Sequence, residues 1–433
     1  MSESVEAGLP ENGLTQPIPE AQAAAVKRPR LVSLDQLRGF TVASMFVVNF
    51  SGGLKAMPEI IKHHNVYVSL ADWIMPTFMF MVGFSFRLSW LSTVKREGAG
   101  RAVSKFLTRG LLLVLVSIFL YAADDDIKIE KWSEISQESI TKLFVNTLKA
   151  NLWETLAIIG CAQMLVLPLI GRSGKVRLAA MFSLMLGHVI FSYYFNWDFV
   201  HGKPNFLDEF LGSTGKTAWD GGTFGLMGWA SLMLAGSLVH DSVMNRENLT
   251  GAIPGLIFKG VLIAILGWGL SGLSRLYDVP PGDTALAKAD KLADSPVLPD
   301  FSKASGRSIS SLLAEPPLVP PPGPDQRKIS YWMMYKKMVS LPFVVFHIGV
   351  GMAMLGTFML LCDVMKFQST ILERFGQNAL AAYCIHHYVE GVHLLFVPKD
   401  SPAWWCWVNL MLFMLIVDRC LAWMQRNKIR FTV

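Results

Sequence analysis

The chain has 433 residues, of which 52% are hydrophobic and only 17% charged, with a formal net charge of +6. Such proportions exclude an ordinary soluble protein, whose domains carry far more surface charge. They also argue against a nucleic-acid partner, because the basic residues gather at alternate ends of apolar runs instead of forming one stripe.

In chain order, residues 1–30 begin with a polar stretch holding Glu3, Glu6, Glu11 and Glu20. This stretch lacks the basic and apolar regions of a signal peptide, so a disordered cytoplasmic tail is expected. From residue 31 onward the apolar residues fall in runs of about twenty, the length a helix needs to cross the hydrocarbon. Runs at 37–54, 72–93, 106–123, 152–171, 177–196, 222–241, 253–274, 338–362, 378–397 and 403–422 predict an all-α, polytopic membrane bundle occupying 31–433. About ten crossings are expected.

Lys27, Arg28 and Arg30 precede the first run, Lys95, Arg96, Arg101, Lys105 and Arg109 follow the second, and Arg172, Lys175 and Arg177 join the fourth to the fifth. Basic loops stay in the cytoplasm, and an even number of crossings places both termini there. The alternate loops hold Asp124, Asp125, Asp126, Glu130 and Glu134, then Asp198, Asp208, Glu209 and Asp220. Residues 276–337 carry ten of the 22 prolines and are expected to form a mostly extended, non-cytoplasmic loop without a core of its own. Cys161, Cys362, Cys384, Cys406 and Cys420 show no zinc-like spacing and read as free thiols, and no metal is expected. There is no internal repeat of the kind a two-halved transporter shows.

Three blocks carry chemistry. Ser33-Leu34-Asp35-Gln36-Leu37-Arg38 opens the first run. Its Ser33 and Gln36 read as a helix capping box, and Asp35 and Arg38 stand at pairing distance on one helix face. Asn49 lies near the far end of the same run. Next come Lys62-His63-His64-Asn65, Tyr67, Ser69 and Asp72. A membrane-face imidazole there can take a proton from an incoming amine or hydroxyl, and Asp72 either orients it or caps the next helix. The third block runs from Gly376-Gln377-Asn378 to Tyr383, His386, His387, Glu390 and His393. Residues 386, 390 and 393 share one helix face, which marks a polar cavity or pathway inside the bundle.

The string Ser33 to Phe40, the segment Val48-Asn49-Phe50-Ser51-Gly52-Gly53, the histidine loop and Leu70-Ala71-Asp72-Trp73-Ile74-Met75-Pro76 resemble heparan-alpha-glucosaminide N-acetyltransferases and their bacterial relatives. The late block Gly376 to Leu380 with Tyr383 and His386 resembles that family's penultimate helix. The resemblance implies a membrane-embedded acyltransferase. Acetyl-CoA would be held from the cytoplasmic side, and the acetyl group would pass to an amino sugar or glycan on the other side.

The catalytic residues implied are His63 or His64, with Asn49 and Asp72. The donor-binding residues implied are Arg38 with Asp35, together with Asn378 and His386. The partners are then acetyl-CoA, the saccharide acceptor and the lipid bilayer, without nucleic acid, and a homo-oligomer is compatible with the pattern. The competing reading is a transporter of an anionic or sugar-like solute, in which His386, Glu390 and the histidine loop line an alternating-access path.

Overall fold

The structure is a computed structural model that describes residues 31–121, 135–213, 215–246 and 248–429. The chain separates into a unit Met1–Leu31 and a unit Val32–Val433. The expected N-terminal tail and the acidic stretch from Asp124 to Glu134 lie outside the described residues, and the architecture below is that of the second unit.

The described residues form helices with no named strand; two isolated bridges pair Asp278 with Arg327 and Leu292 with Ile329. The helices are α1 (Val32–Ser51), α2 (Ile74–Glu97), α3 (Ala99–Tyr121), α4 (Gln137–Asn146), α5 (Thr155–Ile170), α6 (Gly174–Phe191), α7 (Trp197–His201) and α8 (Phe206–Leu211). They continue with α9 (Gly222–Met244), α10 (Ile253–Ser271), α11 (Thr284–Lys288), α12 (Leu341–Phe358), α13 (Thr370–Gln377), α14 (Ala379–Leu394) and α15 (Ala403–Arg426).

Among the described residues seven helices are long and apolar enough to cross a membrane, so this is an integral membrane protein. The pair Gln137–Ala150 and Thr155–Ile170 passes the same test only together, with a bend of 78° between its halves. Two further predicted segments do not pass it. The α1 helix carries Asp35 and Arg38, and α14 is 16 residues long and holds three histidines and Glu390.

Helix α9 is the centre of the bundle, with 72% of its most apolar window buried, against 28% for α3 and 22% for α6 with its continuation. It meets α2 almost backbone to backbone. A Cβ on Gly83 would lie 1.9 Å from the Met233 carbonyl oxygen, and one on Gly236 would lie 1.9 Å from that of Phe80. Small residues at a crossing let two membrane helices approach this closely, where dispersion replaces the hydrophobic effect as the driving force.

A second group packs α1 against α13, α14 and α15 through Phe46, Phe50, Phe375, Phe413 and Val417, with Phe50 stacked on Phe413 at 5.5 Å. The expected capping box at the start of α1 does not form. Gln36 instead clamps Ser369, donating from Nε2 to its carbonyl (3.0 Å) and accepting its N–H at Oε1 (3.1 Å), which ties α1 to the start of α13.

The connections on one side of the bundle are bonded to one another. Lys55 N–H donates to the Lys399 carbonyl (2.8 Å), Leu318 N–H to that of Val68 (3.0 Å), and Gly221 N–H to that of Lys337 (2.8 Å). The proline-rich segment differs from the expected coreless loop, because it caps this side and shares a core with α7 and its neighbours. Tyr331, Met333, Tyr335 and Met338 bury themselves against Trp197, Phe199 and Val200. Arg327, 1% exposed, binds Asp278 at 2.6 Å and Glu315 at 2.5 and 3.0 Å. Proline content averaged over the segment hides these anchors, because the aromatic cluster between Tyr331 and Tyr335 supplies buried area.

Candidate active site

The turn between α1 and α2 is organised by a single buried carboxylate. Asp72, 1% exposed, accepts at Oδ2 from the Ser69 N–H (3.1 Å), the Ser69 hydroxyl (2.9 Å) and the His64 N–H (3.3 Å). Its Oδ1 meets His63 Nδ1 at 2.8 Å. An ionised carboxylate only accepts, so this contact sets the Nδ1–H tautomer and leaves the Nε2 lone pair of His63 available. Lys336 Nζ stands 3.4 Å from the same Nδ1 and brings a positive charge beside the pair. Asp72 therefore orients an imidazole and does not serve as a side-chain cap for α2.

The adjacent histidine is arranged differently. His64 Nε2 meets the Glu59 carbonyl at 3.0 Å, and its ring stacks on Tyr67 at 4.4 Å.

His63 lines a cavity of about 670 Å³. Arg38, Thr41, Val42, Met45, Val48 and Asn49 form one wall, which is a single face of α1. Ile74, Met75, Phe78, Val82, Ser85 and Ser89 form another along α2. At 1.5 Å per residue these walls extend roughly 16 Å and 22 Å, so the cavity runs lengthwise through much of the bundle. His63, Trp219, Asp220 and Lys336 lie at the capped end. Arg38, Arg109, Gly376, Gln377 and Asn378 also line it, with Arg38 and Gly376 towards the start of α1.

Arg38 is held in place by the Ser85 hydroxyl (2.7 Å), the Gly376 carbonyl (3.4 Å) and Asp35 (3.6 Å). Gly376 is required here, because a Cβ on it would lie 2.0 Å from the Asp35 carbonyl oxygen. Arg109 makes no hydrogen bond or ion pair among the described residues. Two guanidinium groups therefore line a cavity whose other walls are largely apolar, an arrangement suited to an anionic ligand.

Asn49 Nδ2 lies 3.2 Å from Nε2 of His386, whose Nδ1 bonds the Tyr383 carbonyl. If His386 carries its proton on Nδ1, its Nε2 accepts from one amide hydrogen of Asn49, and the second amide hydrogen remains for the cavity. His386 is buried, stacks on Phe46 at 4.7 Å and does not line the cavity; it supports Asn49 from behind. Asp35 likewise reaches the cavity only through Arg38, whereas Asn378 lines it directly and donates to the Arg374 carbonyl at 3.0 Å. Lys95, Arg101 and Lys105 do not line the cavity, and Arg96 pairs with Glu97 at 2.6 Å.

The predicted residues Arg38, Asn49, His63 and Asn378 thus share one cavity, with Asp35, Asp72 and His386 behind them. A family model described as an acyltransferase domain matches residues 31–418. The chain belongs to the acyltransferase domain family. No curated protein matches the chain.

This membrane acyltransferase has site residues that the sequence reading left aside. Asp220 counted only as loop charge, although the Asp220-Gly221-Gly222 string signals a sharp turn. Lys336 and Lys337 form a basic pair in a loop assigned to the non-cytoplasmic side, against the usual charge bias, and that exception was the signal. Tyr121, joined at 2.6 Å through its hydroxyl to that of Tyr383 from the third block, completes the wall between α3 and α14.

Proposed function

We propose that this acyltransferase moves an acetyl group from acetyl-CoA, entering from the cytoplasm, to an amino sugar or glycan on the opposite side, as in heparan-alpha-glucosaminide N-acetyltransferases. The observation that carries this reading is one continuous cavity lined both by Arg38 and Arg109 and by a histidine held by a buried aspartate. The sorting of connections onto two sides supports ten crossings with both termini in the cytoplasm, α1 and α14 being short or charged because they also form cavity wall.

In this reading Arg38 and Arg109 attract the phosphates of the donor, and the apolar walls along α1 and α2 take its acyl-bearing arm. His63 Nε2 accepts the proton of the acceptor amine or hydroxyl as the acceptor attacks the thioester carbonyl. The spare amide hydrogen of Asn49 stabilises the developing oxyanion. When the tetrahedral intermediate collapses, the carbon–sulfur bond breaks and the imidazolium returns its proton to the departing thiolate. Asp72 holds the imidazole in the required tautomer throughout and favours its charged form. Apolar walls keep water from the thioester.

The test supplies the purified protein with acetyl-CoA and amino sugars and identifies the product by mass spectrometry. His63→Ala should cost about two to four orders of magnitude in rate while the protein melts as wild type. Wild-type turnover in that variant would remove His63 from the chemistry, and absence of any transfer by the wild type would bring the transporter reading forward.

A further inference from the structure

Two turns close the capped end of the cavity. The first, Trp219 to Gly222, holds three successive residues in the left-handed region, at φ 45° for Asp220, 81° for Gly221 and 59° for Gly222. The second, Lys336 to Val339, ends with Val339 at φ 52°, an outlier for a β-branched residue. They are locked together. Gly221 N–H donates to the Lys337 carbonyl at 2.8 Å, and a Cβ on Gly221 would lie 3.1 Å from Val339 Cγ2. Trp229, fully buried, pins the first turn from below by donating to the Asp220 carbonyl at 3.1 Å. Strained backbone of this kind persists only where its surroundings over-determine it, and here the strain aims two side chains into the cavity.

Those side chains are Trp219 and Asp220. Trp219 lines the cavity yet is 56% exposed, so its indole is not spent on the protein's own packing. The Asp220 carboxylate also lines it and has no side-chain hydrogen bond among the described residues. It is half-buried, and burial pushes its carboxyl above the ordinary range, with Lys336 and His63 pulling the other way. A half-buried carboxylate on a cavity wall, with no side-chain hydrogen bond among the described residues, is open to a donor from a bound ligand. Lys336 connects this corner to His63.

We propose that the paired turns form the acceptor subsite and that it takes one pyranose ring of a saccharide. The Trp219 indole stacks on the apolar C–H face of the ring. The Asp220 carboxylate accepts hydrogen bonds from its hydroxyl or amine groups, and the ring is held beside Nε2 of His63. This assignment rests on the acyl-transfer reading above for what happens to the bound sugar, but binding itself requires no donor.

The test titrates the full chain, purified in detergent and free of acyl donor, with a β-1,4-linked glucosamine disaccharide and with its all-hydroxyl glucose counterpart, followed by calorimetry. Trp219→Ala should weaken both sugars tenfold or more, Trp219→Phe should restore part of the loss, and Asp220→Asn should weaken binding roughly tenfold. Asn tolerates the left-handed backbone, so Asp220→Asn is expected to keep the wild-type melting temperature.

If neither sugar binds the wild type, or if Trp219→Ala and Asp220→Asn bind as the wild type does, the subsite is overturned and Trp219 is an aromatic of the membrane interface. Trp219-dependent sugar binding without any acetyl transfer from acetyl-CoA would leave the subsite standing and overturn the proposed function. Transfer to the disaccharide with unchanged acceptor KM in both variants would do the reverse.

Discussion

Asp72 receives bonds from His63, from the His64 backbone and from both the backbone and hydroxyl of Ser69, so one carboxylate both folds the turn and orients the imidazole. Asp72→Asn separates the two tasks. The amide keeps most of the turn bonds but can present N–H to His63 Nδ1, which moves the imidazole lone pair away from Nε2. The expected result is a loss of about two to four orders of magnitude in kcat with little change in KM for acetyl-CoA. His64→Ala should stay within about twofold of wild type, because its ring is occupied by the Glu59 carbonyl and Tyr67. Steady-state kinetics on the two variants checks both. Sequence spacing placed both histidines in one loop and could not choose between neighbours, because a turn has no periodicity to read. In the fold a nine-residue separation brings Asp72 onto the ring of one of them, at Nδ1 of His63.

The long helices were legible from hydropathy, since each predicted run overlaps one, and α14 starts at Ala379, one residue from its predicted start at 378. What hydropathy does not report is how closely two helices approach. The α2–α9 crossing supplies the test: Gly236→Val would drive side-chain atoms into the Phe80 carbonyl, backbone that cannot rotate away. A loss of about 3 kcal/mol is expected, read as a lower melting temperature in detergent. Gly255→Ala in α10, where a Cβ meets nothing within 4 Å, should be neutral or slightly stabilising in the same assay. The capping-box reading of Ser33 and Gln36 failed for a related reason. The motif is local, whereas the partner Gln36 selects is Ser369, 333 residues away.

For the whole molecule, cysteines placed at Ser305 in the cap and at Ser173 between α5 and α6, in a background lacking the five native cysteines, should label from opposite sides with a membrane-impermeant reagent. Labelling of both from one side would overturn the ten-crossing topology. The order in which the chain is made adds a consequence. His63 and Asn49 are synthesised early, but their neighbours Lys336 and His386 lie 273 and 337 residues further along. A ribosome therefore finishes most of the membrane insertion before the site has its roof or its support for Asn49. A half-made chain carries the imidazole without the enclosure. The enclosure is complete only with the last helices, so the order of synthesis itself withholds the finished site from unfinished copies.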